Sequence, residues 1–183
     1  MIHRPQHAHG WTLIELMTVL AIVALVTGFT VSGLSAATQA THANAAASKL
    51  LTSLTTARSR AASAGMEVVL CPSNDGRTCS GDYHWEGGWI AFADLDRDGD
   101  HGNDEPILQH QAALPPRLRL ITSAGRTKIR FHPNGGNVGS NATFTLCDGR
   151  GPAKAVAYVM ANQGTLRAGK PSTTAAREAC SSH

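Results

Sequence analysis

Apolar and polar positions fall into two regimes along the chain. After a short polar stretch, residues 11–34 are almost continuously apolar, and Glu15 is the single Asp, Glu, Lys or Arg between Arg4 and Lys49. The uninterrupted run from Leu16 to Leu34 reaches the roughly 20 residues needed to span hydrocarbon. Past Leu34 the chain is alanine-rich, and Leu50, Leu51, Leu54, Ala57 and Ala61 recur at helical spacing. No Pro interrupts Thr12–Ala64, and its only glycines are Gly28 and Gly33. Alanine is the strongest helix former. The pattern predicts one helix of about 50 residues, roughly 75 Å at 1.5 Å per residue, ended by Gly65 at C′. Residues 11–34 form its membrane-spanning half, and residues 35–64 form an amphipathic half that packs on a folded domain. Gly28 and Gly33 are positions for a kink or a close helix contact.

Beyond Gly65 the period shortens to that of strands. Seven runs qualify: Glu67–Cys71, Trp89–Ala93, Ile107–Gln111, Leu118–Thr122, Lys128–His132, Thr143–Cys147 and Ala155–Met160. The breaks between them carry turn residues, as at Pro133-Asn134-Gly135-Gly136. A long helix followed by strands is an α+β layout, with residues 65–183 forming an antiparallel β-sheet domain on the helix.

Glu15 changes this picture. A carboxylate at the centre of a membrane helix costs roughly 2.5–3.5 kcal/mol, and even near its end it calls for a partner. A cut after Gly10 would give Trp11 a free α-amine one helical turn from Glu15. A cleaved secretory signal has a shorter apolar core and small residues at its cut site. An ordinary signal anchor accounts for neither Gly10 nor Glu15. Gly10, Thr12, Leu13, Ile14, Glu15 and Leu16 resemble the class III signal of type IV pilins and type II secretion pseudopilins. Trp11 stands where that signal usually has Phe. The resemblance implies a leader over residues 1–10 and cleavage between Gly10 and Trp11 by a prepilin peptidase. It also implies N-methylation at Trp11, an assembly role for Glu15, and release from inner-membrane lipids into a helical filament. The leader carries His3, Arg4, His7 and His9 and no acid. The positive-inside rule therefore keeps it cytoplasmic and exports the rest. The expected location is a single-pass inner-membrane protein with a periplasmic C-terminal domain.

Four cysteines in an exported domain read as two disulfides. Three pairings are open. Cys71–Cys79 with Cys147–Cys180 is preferred, the second tying the C-terminal tail to a strand.

The middle of the chain carries Gly88-Trp89-Ile90-Ala91-Phe92-Ala93-Asp94, then an acidic glycine loop ending in Glu105-Pro106. Phe131, Gly135-Gly136 and Thr143-Phe144-Thr145-Leu146-Cys147-Asp148 follow. Together with the N-terminal signal, these runs resemble the GspH/FimT family of minor pseudopilins and type IV minor pilins. The resemblance implies a pilin-like fold. It also implies a structural or priming subunit of a type IV pilus or type II secretion pseudopilus, partnered by other pilin or pseudopilin subunits.

Charge is segregated. Residues 65–116 hold two basic and ten acidic residues, and residues 117–183 hold ten basic and two acidic, so a net −8 meets a net +8. Arg117 and Arg119 alternate with Leu118 and Leu120, and Lys128 and Arg130 alternate with Ile129 and Phe131, so each pair shares a strand face. If the two strands pair, four cations form one patch. Arg167, Lys170 and Arg177 extend the basic character. Three readings follow: a solvated face, a surface that meets the acidic segment of a neighbouring subunit, or a contact for double-stranded DNA through its phosphates. FimT-like relatives imply the last, as a DNA-uptake receptor with a Gly-Arg-x-Arg motif near the tail. Here Gly164-Thr165-Leu166-Arg167 matches at Gly164 and Arg167 only. The candidate DNA contacts are Arg117, Arg119, Lys128, Arg130, Arg167 and Lys170.

Asp94, Asp96, Asp98, Gly99 and Glu105 match the EF-hand ligand pattern, with Asp100 offering a carbonyl. The flanks look like strands rather than helices, and an Asp/Gly-rich hairpin turn gives similar letters. No metal ligand is therefore assigned. Nor does any triad, phosphate loop or zinc spacing stand out among the nine scattered histidines and four cysteines. The chain reads as no enzyme, with no catalytic residue and no cofactor. Trp85 and Trp89 read as core residues.

Overall fold

A computed structural model describes residues 10–123, 125–139 and 141–181, the side chains of residues 27–32 excepted. The leader with His3, Arg4, His7 and His9, and the contact expected at Gly28, lie outside the described residues. The chain divides into two compact units, Met1–Thr38 and Gln39–His183.

Helix α1 spans Leu13–Ala64. Thr12 precedes its first turn, and the Thr12 side-chain oxygen accepts the backbone N–H of Glu15 at 3.3 Å. In the first unit the large apolar side chains point outward without cover. Trp11, Leu13, Ile14, Leu16, Met17, Leu20 and Leu25 are all exposed. Among the described residues no helix is long and apolar enough to cross a membrane.

In the second unit, α1 buries a stripe of Ala43, Ala46, Ala47, Leu50, Leu54, Ala57 and Ala61. The steps of three and four residues keep these side chains on one face. Gly65 ends the helix with φ +65°, and the Met66 N–H reaches back to the Ala61 carbonyl at 3.3 Å. This is a Schellman closure of the kind glycine permits.

Eight strands follow, in two sheets and not one. The strands are β1 (Glu67–Pro72), β2 (Gly88–Asp94), β3 (Ile107–Ala112) and β4 (Arg119–Thr122). They continue with β5 (Ile129–Phe131), β6 (Ala142–Cys147), β7 (Val156–Met160) and β8 (Leu166–Gly169). One antiparallel sheet has the order β3-β2-β1-β5 and the other β4-β6-β7-β8. A 3₁₀ turn at Pro152–Lys154 and a closing helix α2 (Thr173–Ser181) complete the domain. Both sheets feed one core on the α1 stripe, including Val68, Leu70, Phe131, Leu120, Phe144 and Met160. Trp85 joins them: its ring lies 5.2 Å from Phe144 and 6.3 Å from Trp89, and its indole N–H donates to Thr122 Oγ1 at 3.2 Å.

The pairing of the Leu118–Thr122 and Lys128–His132 strands that a single four-cation patch requires does not occur. β4 pairs with β6, setting Leu120 opposite Leu146, whereas β5 crosses to β1, setting Phe131 opposite Val68 and Ile129 opposite Leu70. The short link between β4 and β5 passes from one sheet to the other. Apolar alternation assigns each strand its faces, and the same alternation serves either partner.

Both disulfides are Cys71–Cys79 and Cys147–Cys180, with Cα–Cα distances of 5.6 and 5.5 Å. The second pins α2 to β6, where Ala176 and Ala179 are buried. Cys147→Ser/Cys180→Ser should lower stability by about 2–4 kcal/mol in urea denaturation. Cys71→Ser/Cys79→Ser, which opens a shorter loop, should cost about 1 kcal/mol less.

Candidate functional site

The N-terminal candidates lie at the start of α1. Trp11 is 77% exposed, and a side chain added at Gly10 would meet nothing within 4 Å. Glu15 sits in the first helical turn. Its backbone N–H is capped by Thr12, and its carboxylate has no partner among the described residues. Thr12-Leu13-Ile14-Glu15 has the spacing of a capping box, a signal that the membrane argument passed over. The partial positive charge of a helix N-terminus favours a carboxylate there.

The cationic candidates separate into groups because β4 and β5 lie in different sheets. On the first sheet, register sets Glu67 of β1 opposite Asp94 of β2. Both are buried, with Asp94 1% exposed. Two adjacent buried carboxylates require a counter-charge, and β5 brings one alongside β1. One terminal nitrogen of Arg130 donates to Glu67 Oε2 at 3.1 Å, Asp94 Oδ2 at 3.2 Å and the Arg97 carbonyl at 2.9 Å. His132 Nδ1 lies 2.9 Å from the other oxygen of Glu67. Burial pushes the Asp94 carboxyl above its ordinary pKa, against the pull of the Gly99 backbone N–H and the Arg130 guanidinium. Lys128 Nζ donates at 2.7 Å to Asp100 Oδ1 and at 2.7 Å to the Gly99 carbonyl. The acidic loop between β2 and β3 thus folds over Lys128 and Arg130, and the −8 and +8 segments meet within one chain.

The second sheet holds the other group. A cleft of about 630 Å³ opens beside the Cys147–Cys180 bridge, lined in part by Arg117, Arg119, Asp148, Pro152 and Arg177. Asp148 is held by Arg150 through contacts of 2.7 to 3.1 Å, so the one acid lining the cleft is already matched. Arg119 lies 3.8 Å from Glu86. Arg117 adopts φ +69° in the turn before β4 and is exposed. A second cleft of about 340 Å³ shares Pro152 and Arg177 with the first and adds Lys170. Arg167 is exposed on β8, away from both cleft linings. Gly164 is buried, and its carbonyl accepts a hydrogen bond from Arg58 of α1 at 3.1 Å. Arg58 also donates to the Gly135 carbonyl at 2.9 Å. It clamps two loops to the helix, a role that charge counting did not single out. The convergence of Arg177 with Arg117 also had no sequence signal, because it depends on α2, which the apolar pattern did not reveal.

The family model described as "Type II transport protein GspH" matches residues 46–164. The chain belongs to the GspH family. Its fold is similar to that of the type IV minor pilin FimU of Pseudomonas aeruginosa. There the TM-score is 0.58 at 19% identity, covering 75% of this chain and 93% of that one. A second crystal form of FimU gives a TM-score of 0.56 at 19% identity and 75% and 98% coverage. The minor pseudopilin EpsH of the Vibrio cholerae type 2 secretion system aligns at 16% identity over 72% of this chain and 98% of that one, with a TM-score of 0.49. At 19% identity the likeness to FimU is one of fold. No curated protein matches the sequence significantly. The chain therefore has a minor pilin or pseudopilin fold, an N-terminal helix packed on an antiparallel sheet domain.

Removing Arg130 should be far costlier than removing Lys128. Arg130→Met strands the buried Glu67 and Asp94 carboxylates and should cost about 3 kcal/mol. Lys128→Met breaks a pair whose Asp100 side chain is 73% exposed and should cost less than about 1 kcal/mol. Urea denaturation of the two variants checks the difference.

Proposed function

We propose that this chain is a minor pilin or pseudopilin that joins or primes a type IV pilus or a type II secretion pseudopilus. The observation that carries the reading is the family match over residues 46–164 on a chain whose Gly10 and Trp11 precede, and whose Glu15 opens, an uncovered apolar helix. A helix that is apolar all round needs lipid or other helices around it. In this reading inner-membrane lipids surround the first part of α1 in the precursor, and neighbouring subunits surround it in the filament. Residues 35–64 continue the helix into the periplasm, and residues 65–183 form the periplasmic domain. A prepilin peptidase cuts between Gly10 and Trp11, and the new amine of Trp11 is N-methylated. Glu15 then neutralises an amine of its own chain or of a neighbour, in an apolar setting where an unmatched charge is expensive.

Gly10→Val should block processing, and Glu15→Ala should be processed normally but enter filaments poorly. Mass spectrometry of the mature N-terminus and immunodetection in sheared filaments check the two outcomes. A mature N-terminus other than Trp11 would refute the processing claim, and normal incorporation of the alanine variant would refute the assembly claim.

A second reading is a DNA-uptake receptor on the same scaffold. What favours it is the cleft where Arg117, Arg119 and Arg177 converge while Asp148 is matched by Arg150. Lys128 and Arg130 serve the acidic loop in this reading, which leaves Arg117, Arg119, Arg167 and Lys170 as phosphate contacts, joined by Arg177 of the cleft. Double-stranded DNA should bind without sequence preference. Affinity should fall with salt at a log–log slope of about −0.9 per phosphate contacted. Arg117→Ala, Arg167→Ala and Lys170→Ala should each weaken binding and flatten the slope, and Lys128→Ala should change neither. Absence of binding at low salt in a titration followed by fluorescence anisotropy would remove this reading and leave the filament role untouched.

A further inference from the structure

We propose that the loop between β2 and β3 is a calcium site built on the carboxylates of Asp94, Asp96 and Asp98. One oxygen from each of the three lies within 4.8 Å of the others, a spacing that a cation bonding at about 2.3–2.6 Å spans. Three like charges this close repel one another. Of the two cations that reach the loop, Arg130 pairs with Glu67 and with one oxygen of Asp94, and Lys128 pairs with Asp100, so within the triad only that Asp94 oxygen is matched. Asp96 and Asp98 have no cation partner among the described residues.

Asp94 supplies the second and independent observation. Its side chain is fully buried. Oδ2 is taken by Arg130, and Oδ1 is buried without a hydrogen-bond partner. Buried polar atoms are nearly always satisfied, and each exception calls for an explanation. An anionic oxygen is a costly exception, since burial strips its hydration. Here the orphaned oxygen belongs to the residue that heads the aspartate cluster. A divalent cation among the three carboxylates would satisfy it and cancel their repulsion.

An all-oxygen donor set selects a hard cation. Calcium suits it better than magnesium, because it accepts irregular geometry, whereas magnesium demands near-ideal octahedral ligands and sheds its water reluctantly. Gly99, sixth in the loop, has φ +80°, which allows the sharp turn that such loops need. Glu105 does not repeat its helix–loop–helix role. Its two oxygens accept the backbone N–H groups of Leu95 at 2.6 Å and Gly102 at 2.9 Å, so it braces the loop from inside. Three aspartates with carbonyls and water to complete the shell imply weak binding, with a Kd of about 10⁻⁴ to 10⁻³ M. The flanks are the paired strands β2 and β3. The ion would therefore lock a loop in place and would not open a helix pair.

The full chain in detergent, stripped with EDTA, is titrated with calcium chloride by calorimetry, and its thermal unfolding is followed in parallel. The expected result is one saturable site per chain and a Tm that rises with calcium and returns on adding EDTA. Asp96→Asn and Asp98→Asn should each weaken binding by about tenfold or more. Asp104→Asn, in the same loop but outside the triad, should bind as the parent does. The proposal is overturned by the absence of heat and of any Tm change at about 10⁻² M calcium, well above that Kd range. It is equally overturned by binding that Asp96→Asn and Asp98→Asn leave intact. A magnesium response equal to the calcium response would also overturn it, since general screening of an acidic loop would then suffice.

Discussion

The β domain depends on one apolar stripe. Ala43, Ala46, Ala47, Leu50, Leu54, Ala57 and Ala61 of α1 supply a surface on which two otherwise separate sheets converge. No named strand belongs to both sheets. What unites them is that Val68, Leu70, Ile129 and Phe131 of one and Leu120, Phe144, Leu146 and Met160 of the other bury against the same helix face and the same pair of tryptophans. Alanines let the backbones come close, and Leu50 and Leu54 fill the middle. The effect is non-directional and scales with the apolar area removed from water. A helix face can therefore organise two sheets without a hydrogen bond between them.

That arrangement leaves each sheet with an outer face to cover, and the two disulfides stand at these places. Val69, Cys71, Ile90 and Phe92 form a small cluster on the far side of the first sheet, with Cys79 packed against it. Ile121, Cys147, Ala155, Ala176 and Ala179 form its counterpart on the second sheet, with Cys180 alongside. In both cases the covering segment is too short or too poor in apolar area to hold itself down. A nine-residue helix with two buried alanines falls below what an isolated helix needs. The covalent tie supplies what packing does not. Cover on both faces also explains why β1 and β2 are buried at every position and show no alternation.

Much of this was legible from the residues. A proline-free, alanine-rich stretch announced α1, and the turn clusters placed seven of the eight strands within a residue or two. The number of sheets was not legible. Leu118–Thr122 and Lys128–His132 alternate equally well for either partner, and only the buried side chains of Ile129 and Phe131 against β1 decide. β8 escaped notice because Leu-Arg-Ala-Gly has one bulky apolar residue and lies at a sheet edge, where little burial is required. α2 escaped because its buried face is two alanines. At the candidate site the N-terminal residues were legible because that signal is local in sequence. The basic cleft was not, since Arg117 and Arg177 are brought together by α2 and the Cys147–Cys180 bridge.

Charge segregation has a partly internal destination that composition alone did not show. Opposite nets in consecutive segments suggested a surface for another molecule. The fold instead uses the acidic loop to match β5, as Arg130 with Glu67 and Asp94 and Lys128 with Asp100 demonstrate. This internal match redistributes what the molecule offers to others. Arg117, Lys154, Arg167, Lys170 and Arg177 are exposed and in no ion pair among the described residues, and all five belong to the second sheet, its connections or the tail. The molecule is therefore polar in the electrostatic sense, although its total charge is only +3. Exposed charges act over roughly 8 Å at physiological ionic strength. An anionic partner approaching the second sheet would thus meet uncompensated cations, while one approaching the first sheet would meet the acidic loop. Orientation of any partner, a neighbouring subunit included, follows from this asymmetry more than from net charge.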